Sequence, residues 1–331
     1  MNRWPGTRAI VIAGASSGIG QATALAFAAR RASLVLVGRD TGALEVVVRA
    51  CHEHGAEAVA CAADLTDPAA VERIRDAAVA AYGRIDVWVN CAAVLMVGRF
   101  EDMPIEAFRR VIDVNLMGCV NGSRVALSQF RTQGDRGVLI NTSSLLGMTG
   151  EPLLSPYVAT KFAVRGFTAC LRQEFERAAD IHVCLVMPWA VDTPVYSKMG
   201  NVFGRQARSI FPVIAAGRVA RAIVGLSERP RREVIVGISG YMLGIALKLA
   251  PMLVERIVAR VAPVLQFKPD PQPPTMGNLF TPIGPYSVGG GWKSYWAERA
   301  TRLFRPASAN VQTQDTPPNR PSRPKGRAEA D

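Results

Sequence analysis

The chain has 331 residues, 49% of them hydrophobic and 20% charged, a balance that excludes a disordered protein over the first two thirds and suits one large α/β domain with an appendix. Its formal charge of +12 calls for an acidic partner, with nucleic acid, anionic lipid and a phosphorylated cofactor all open on charge alone. Cysteines 51, 61, 91, 119, 170 and 184 form no CxxC pair, and His52, His54 and His182 share no ligand spacing with them, so reduced cysteines and no metal site are expected.

In chain order, Arg8 to Ala13 reads as a buried strand. This apolar run is too short for the core of an export signal, so none is expected. Gly14-Ala-Ser-Ser-Gly18-Ile-Gly20 follows and leads into an alanine-rich helix to about Arg30. A glycine turn between a strand and a helix lets a pyrophosphate approach the backbone, and the helix N-terminus supplies donors. Gly14, Ser16, Ser17, Gly18, Ile19 and Gly20 are therefore the expected cofactor contacts at this end.

Ser33 to Val37 is the second strand. Gly38 falls where an acid would bind a ribose 2′-hydroxyl, and Arg39 follows it; an arginine suits a 2′-phosphate, which favours NADP(H) over NAD. Asp40 is equally well read as the N-cap of a helix from Thr41 to His54. Glu57 to Ala62 is a third strand, after which Asp64 and Leu65 either meet an adenine ring or merely begin the turn before Asp67-Pro68. Ile85 to Asn90 is the fourth, and Cys91 to Ala93 form a small-residue turn beside which a ribose would pass. A long amphipathic helix from Ile105 to Arg131 carries Asn115, either a structural hydrogen-bonding residue or a member of a polar relay.

The fifth strand, Gly137 to Thr142, ends at Ser143 and Ser144, and Ser155-Pro156 opens the next helix. Tyr157 and Lys161 are four residues apart, on one helical face. A free tyrosine titrates near 10, so proton transfer near neutrality needs a shift of roughly 3 units, about 4 kcal/mol, and a neighbouring cation pushes the phenol that way. Ser144 would then hold a substrate oxygen while Tyr157 moves its proton. Taken alone, a YxxxK pair is more simply a surface pair, so the rest of the chain decides. The helix runs to about Arg177, a sixth strand spans Ile181 to Met187, and Pro188 to Pro194 turns across the ligand end. Residues 195 to 214, with Met199, Phe203, Ile210 and Phe211, read as a covering loop; Arg218 to Glu228 is helical and Glu233 to Val236 is a last strand. The pattern predicts a Rossmann-type, doubly wound parallel α/β sheet of about seven strands, with ligands beyond the strands' carboxyl ends.

Residues 1 to 238 form the expected catalytic domain and 239 to 268 an apolar helical appendix. Within 241 to 267, Lys248, Glu255, Arg256, Arg260 and Gln266 share one arc, Pro251 bends the helix, and the other face is broad and apolar. An interfacial helix on a membrane surface and a helix packed on its own domain or a second subunit are comparable readings; a transmembrane span is a distant third. Residues 269 to 305 start as a proline-rich linker (269 to 274) and continue as an irregular Gly, Pro and aromatic segment that could dock on the domain, and 306 to 331 read as a disordered basic tail.

The glycine turn, Asp64, Asn90, Asn115, Ser144, the Tyr157/Lys161 pair and Pro188 to Thr193, all in this order over Thr7 to Gly237, resemble the short-chain dehydrogenase/reductase family. The resemblance implies hydride transfer between a nicotinamide ring and a carbonyl or alcohol carbon. Tyr157 would be the acid/base, Ser144 would orient the substrate oxygen, Lys161 would bind the nicotinamide ribose and acidify Tyr157, and Asn115 would support a water leading to Lys161. Asn90 would lie by the ribose, and Pro188 and Thr193 would border the carboxamide. The chain departs from the family pattern at Ala13, at Cys91-Ala92-Ala93 and at Trp189. The first two trim cofactor affinity without touching catalysis, and Trp189 adds bulk that bears on substrate size. The expectation is an NADP(H)-dependent enzyme for a hydrophobic ketone or secondary alcohol, lipid-derived ones included. It would be cytoplasmic with peripheral contact at the inner membrane surface, a homodimer or homotetramer, and without nucleic acid. A non-catalytic NADP-binding scaffold or sensor working through the appendix is the alternative.

Overall fold

The computed structural model describes residues 7–178 and 180–303, so the predicted basic tail lies outside the described residues. Seven strands form one parallel sheet: β1 Ala9–Ala13, β2 Ser33–Gly38, β3 Ala58–Ala62, β4 Val87–Asn90, β5 Arg136–Thr142, β6 Asp180–Pro188 and β7 Glu233–Val236. Their order across the sheet is β3-β2-β1-β4-β5-β6-β7. The central strands read as continuous apolar runs because helices cover both of their faces. Ile10 and Ile12 of β1 face one side, with Phe27, Leu44, Val219 and Ile223; Val11 and Ala13 face the other, with Ile74, Ala126 and Phe130.

The first layer is α1 Gly18–Ala28, α2 Thr41–Glu53 and α7 Ala216–Glu228; the second contains α3 Pro68–Tyr82, α5 Gly118–Thr132 and α6 Ser155–Glu174. Strand order reverses between β1 and β4, which opens a crevice at their carboxyl ends. The long helix expected from Ile105 to Arg131 is divided. It comprises α4 Ile105–Ile112, a π-turn over Asp113–Met117, and α5.

The appendix is two helices rather than one. α8 Ile238–Leu249 and α9 Pro251–Gln266 meet at Ala250, whose φ of −145° and ψ of 62° break the helix, as the residue before a proline is pushed out of helical geometry. Gly240 and Gly244 of α8 seat it closely against Leu145 and Met148. Of the five residues expected on one polar arc, Gln266 instead turns inward: it is buried, and its Nε2 donates to Glu151 Oε1. The predicted linker starts as a strand, Phe267–Pro271, paired antiparallel with Arg205–Ala207 of the covering loop. Residues 276–291 then cross the carboxyl edge of the sheet before α10 Trp292–Leu303.

Candidate active site

The glycine turn is tight because Gly14 and Gly20 leave no room for a side chain. Gly14 has φ +93°, and a Cβ there would stand 2.7 Å from the backbone of Ala92. At Gly20 a Cβ would lie 2.0 Å from the oxygen of Gly14. The turn is pinned to β2 by Gly14 and Ala15, whose N–H groups both donate to the Val37 oxygen at 2.9 Å.

Beyond the turn lies a cavity of about 490 Å³. Its floor carries Gly14, Ser16, Ser17, Gly18, Ile19 and Gly20 at one end, Asp64 and Leu65 at the side, and Ser144, Tyr157, Lys161, Pro188 and Thr193 towards the other end. A cleft lined by a helix N-terminus, a glycine-rich turn and the Cys91–Ala93 stretch fits a dinucleotide, since each of these lets a phosphate or ribose approach main chain.

Tyr157 and Lys161 lie on α6, and Ser144 follows β5. Ser144 Oγ accepts from the N–H of Leu146 at 3.1 Å and stands close enough to the Tyr157 phenol to act against its upward shift. Lys161 is 3% exposed. Its Nζ donates to the main-chain oxygen of Thr142 at 3.0 Å and stands 5.3 Å from the centre of the Tyr157 ring. The acidified phenol expected from spacing is not what the protein alone produces. Burial pushes the Tyr157 phenol up, against the lowering effect of Ser144, and burial brings the Lys161 ammonium down to about 8. Desolvation favours the neutral form of both partners.

Asn115 sits in the π-turn, where its amide closes a two-way bond with Val94: Oδ1 accepts from Val94 N at 2.8 Å, and Nδ2 donates to Val94 O at 2.9 Å. Nδ2 also reaches Thr160 Oγ1 at 3.3 Å, so its side chain is occupied structurally. Asn90 departs further from expectation. Its amide points away from the cleft and accepts from Trp88 Nε1 at 2.9 Å while donating to Asn141 Oδ1 at 2.9 Å and Ser123 Oγ at 3.2 Å. A buried polar side chain must be paired, and these partners lie behind the strands rather than beside a ribose.

Asp40 caps α2, accepting from Ala43 N at 2.9 Å. Asp64 is held by Thr66 and by the guanidinium of Arg110 at 2.5 Å. Arg39 donates to the main-chain oxygens of Asn278, Leu279 and Phe280 at 2.5, 2.9 and 3.2 Å, which ties the second strand to the appendix. Tyr286 donates to Asp40 Oδ2 at 2.6 Å, and Gly18 N donates to the Ser287 oxygen at 2.9 Å. Residues 278 to 287 thus form a strap across the end of the cleft beside the glycine turn and the second strand, a segment expected from sequence only as irregular. No periodicity marks such a strap; its partners are single residues scattered through the chain, from Gly18, Arg39 and Asp40 to Arg110 and Lys198.

The far end of the cavity is apolar. Leu146 and Leu154 meet Leu243 of α8 and Ile257, Val261 and Leu265 of α9 there. Trp189 lines the same space, with its Nε1 donating to Pro212 O at 2.7 Å. One carboxyl interrupts this lining: Glu151, raised to about 7 by burial. Neither it nor Gln266 was singled out as a site residue from sequence.

The model of the short chain dehydrogenase family matches residues 8–201. The chain belongs to the short-chain dehydrogenase/reductase family. It is 35% identical over 257 residues to the uncharacterized oxidoreductase YxnA of Bacillus subtilis, covering 76% of this chain and 71% of that protein. To 3beta-hydroxysteroid dehydrogenase 1 of Eggerthella lenta it is 35% identical over 190 residues, 57% of this chain and 72% of that one. Among solved structures it is similar to levodione reductase, with a TM-score of 0.62, 26% identity, and coverage of 72% of this chain and 99% of that one. As a short-chain dehydrogenase/reductase the chain is an oxidoreductase of hydroxyl and keto groups that works with a nicotinamide dinucleotide. Its appendix lies beyond the region that the family model matches.

Proposed function

We propose that this protein is an NADP(H)-dependent oxidoreductase acting on an apolar ketone or secondary alcohol. The observation that carries the reading is the convergence of Ser144, Tyr157 and Lys161 on one cavity whose opposite wall is the apolar side of α8 and α9. Bound in the cleft, the dinucleotide supplies or accepts the hydride. Tyr157 gives its phenolic proton to the carbonyl oxygen in reduction and takes it back in oxidation. Ser144, beside that phenol, holds the substrate oxygen next to it. Lys161 provides a cation under the cleft floor, fixed by the Thr142 oxygen, and Asn115 holds the π-turn against Val94 so that α5 and α6 keep their spacing.

The identity of Arg39, at the end of the second strand, supports a 2′-phosphate on the dinucleotide. An apolar substrate is supported by the leucine and isoleucine lining, and by similarity to a protein named as a hydroxysteroid dehydrogenase. α8 and α9 also turn an apolar face outward. Ile238, Leu249 and Val264 are 78%, 80% and 69% exposed, with Met242, Met252 and Leu253 among them, and exposed Lys248, Arg256 and Arg260 lie on the same two helices. Among the described residues no helix is long and apolar enough to cross a membrane. A face of this kind suits an anionic bilayer surface, and Ile257 and Val261 of the same helix also line the cavity. A homodimer or homotetramer is the assembly that we infer.

The test is turnover of reduced cofactor against a panel of carbonyl compounds. Apolar ketones are expected to be preferred over sugars, and equal use of both would overturn the substrate reading.

A further inference from the structure

Lys198 is a cation that the roles above leave unused. It ends the helical turn Val195–Lys198 of the covering loop and is 4% exposed. Its Nζ donates to Ser17 Oγ at 3.4 Å and stands 4.4 Å from the centre of the Tyr286 ring. Its main-chain oxygen accepts from Asn278 N at 2.8 Å. The side chain is therefore fixed between the glycine turn and the strap, at the carboxyl end of β2, on the wall of the cavity.

The charges around it are unbalanced. Among the described residues Lys198 takes part in no ion pair within 4 Å. Asp40, the carboxylate that faces it, has one oxygen on Ala43 N and the other on the Tyr286 hydroxyl. Asp64 is bound by Arg110, and Arg39 brings a second cation to the same cluster while giving three hydrogen bonds to the strap. Burying an ammonium without a counter-charge is unfavourable, and burial lowers Lys198 to about 8. An anion at this place would balance it.

The end of the second strand is where a dinucleotide fold recognises the substituent on the adenosine ribose. We infer that Lys198 is a specificity-determining residue for a phosphate on the adenosine 2′-oxygen, acting beside Arg39 and delivered by the covering loop and the strap. The strap spends donors of Arg39 on main-chain oxygens, so the second cation carries the discrimination that Arg39 alone would otherwise supply. The Tyr286 hydroxyl, in turn, occupies the carboxylate that would repel such a phosphate.

This inference rests on the dinucleotide reading of the cleft, and binding without turnover separates the two. Full-length protein is titrated calorimetrically with adenosine 2′,5′-bisphosphate and with adenosine 5′-diphosphate, as wild type, Lys198→Met and Lys198→Arg. The wild type is expected to prefer the bisphosphate. Lys198→Met should lose roughly tenfold or more of the bisphosphate affinity, as for one charged hydrogen bond, with the diphosphate little affected; Lys198→Arg should restore most of it. Retained diphosphate binding shows that the variant is folded. Undiminished bisphosphate affinity in Lys198→Met overturns the inference, and so does an equal loss for both ligands, which would place Lys198 on the 5′-phosphates. A wild type that binds neither nucleotide would refute the dinucleotide reading itself, and the inference with it.

Discussion

Lys161 stands 5.3 Å from the centre of the Tyr157 ring, yet its ammonium is given to the Thr142 carbonyl rather than to the phenol. Both side chains are buried, and burial moves the phenol up and the ammonium down. The ligand-free protein should therefore show no tyrosinate from Tyr157 below pH 10. Ultraviolet difference titration of wild type against Tyr157→Phe checks this, and a tyrosinate signal near neutrality without cofactor would contradict it.

The strap is held to the second strand by side chains on both partners. Tyr286→Phe removes the 2.6 Å bond to Asp40 and leaves the Arg39 contacts in place. Dissociation of a bound dinucleotide should become several-fold faster, measured by stopped-flow displacement, because the roof over the adenosine end opens more readily. An unchanged rate would show that the strap does not retain the cofactor.

Asn90 has structural work behind the cleft, so its loss should be read in stability. Asn90→Ala leaves the Trp88 indole and the Asn141 amide short of a partner, a cost of about 1–3 kcal/mol. Chemical denaturation should show that loss while dinucleotide affinity measured on the folded protein stays near wild type. Gly122→Ala should destabilise the same place, because its Cβ would stand 2.4 Å from Asn90 Oδ1.

Glu151 gives the cavity a pH signature. Burial raises its carboxyl from 4.5 to about 7, so the folded state holds a proton that the unfolded chain has released. Stability contributed by the neutral acid is complete below about pH 4.5 and falls as pH rises to about 7, by at most about 3 kcal/mol. Glu151→Gln should flatten the wild-type slope of unfolding free energy over that window. A slope that persists in the variant would assign it to other groups.

Much of this was legible in the sequence because it depends on local pattern. Apolar runs located the seven strands to within a residue or two, Asp40 was readable as a cap from its place before Thr41, and the Tyr157/Lys161 spacing gave one helical face. What escaped was long-range. The π-turn that carries Asn115 looks like uninterrupted helix, since one extra residue in a turn barely disturbs an apolar stripe. The direction of the Asn90 amide depends on Trp88 and Ser123 behind the sheet. The engagement of Arg39 by Asn278 to Phe280 joins residues whose separation in sequence carries no signal, and the acidity expected of Tyr157 ignored the burial that accompanies helix packing.

In the mechanism proposed, the Tyr157 phenol transfers the proton that accompanies hydride transfer. The most direct measurement is single-turnover oxidation of NADPH with an apolar ketone, comparing wild type with Tyr157→Phe at matched cofactor occupancy. A fall of about 10²–10⁴-fold in the rate, with cofactor still bound, is predicted for loss of a general acid. A variant that turns over at the wild-type rate would show that the phenol is not the proton donor.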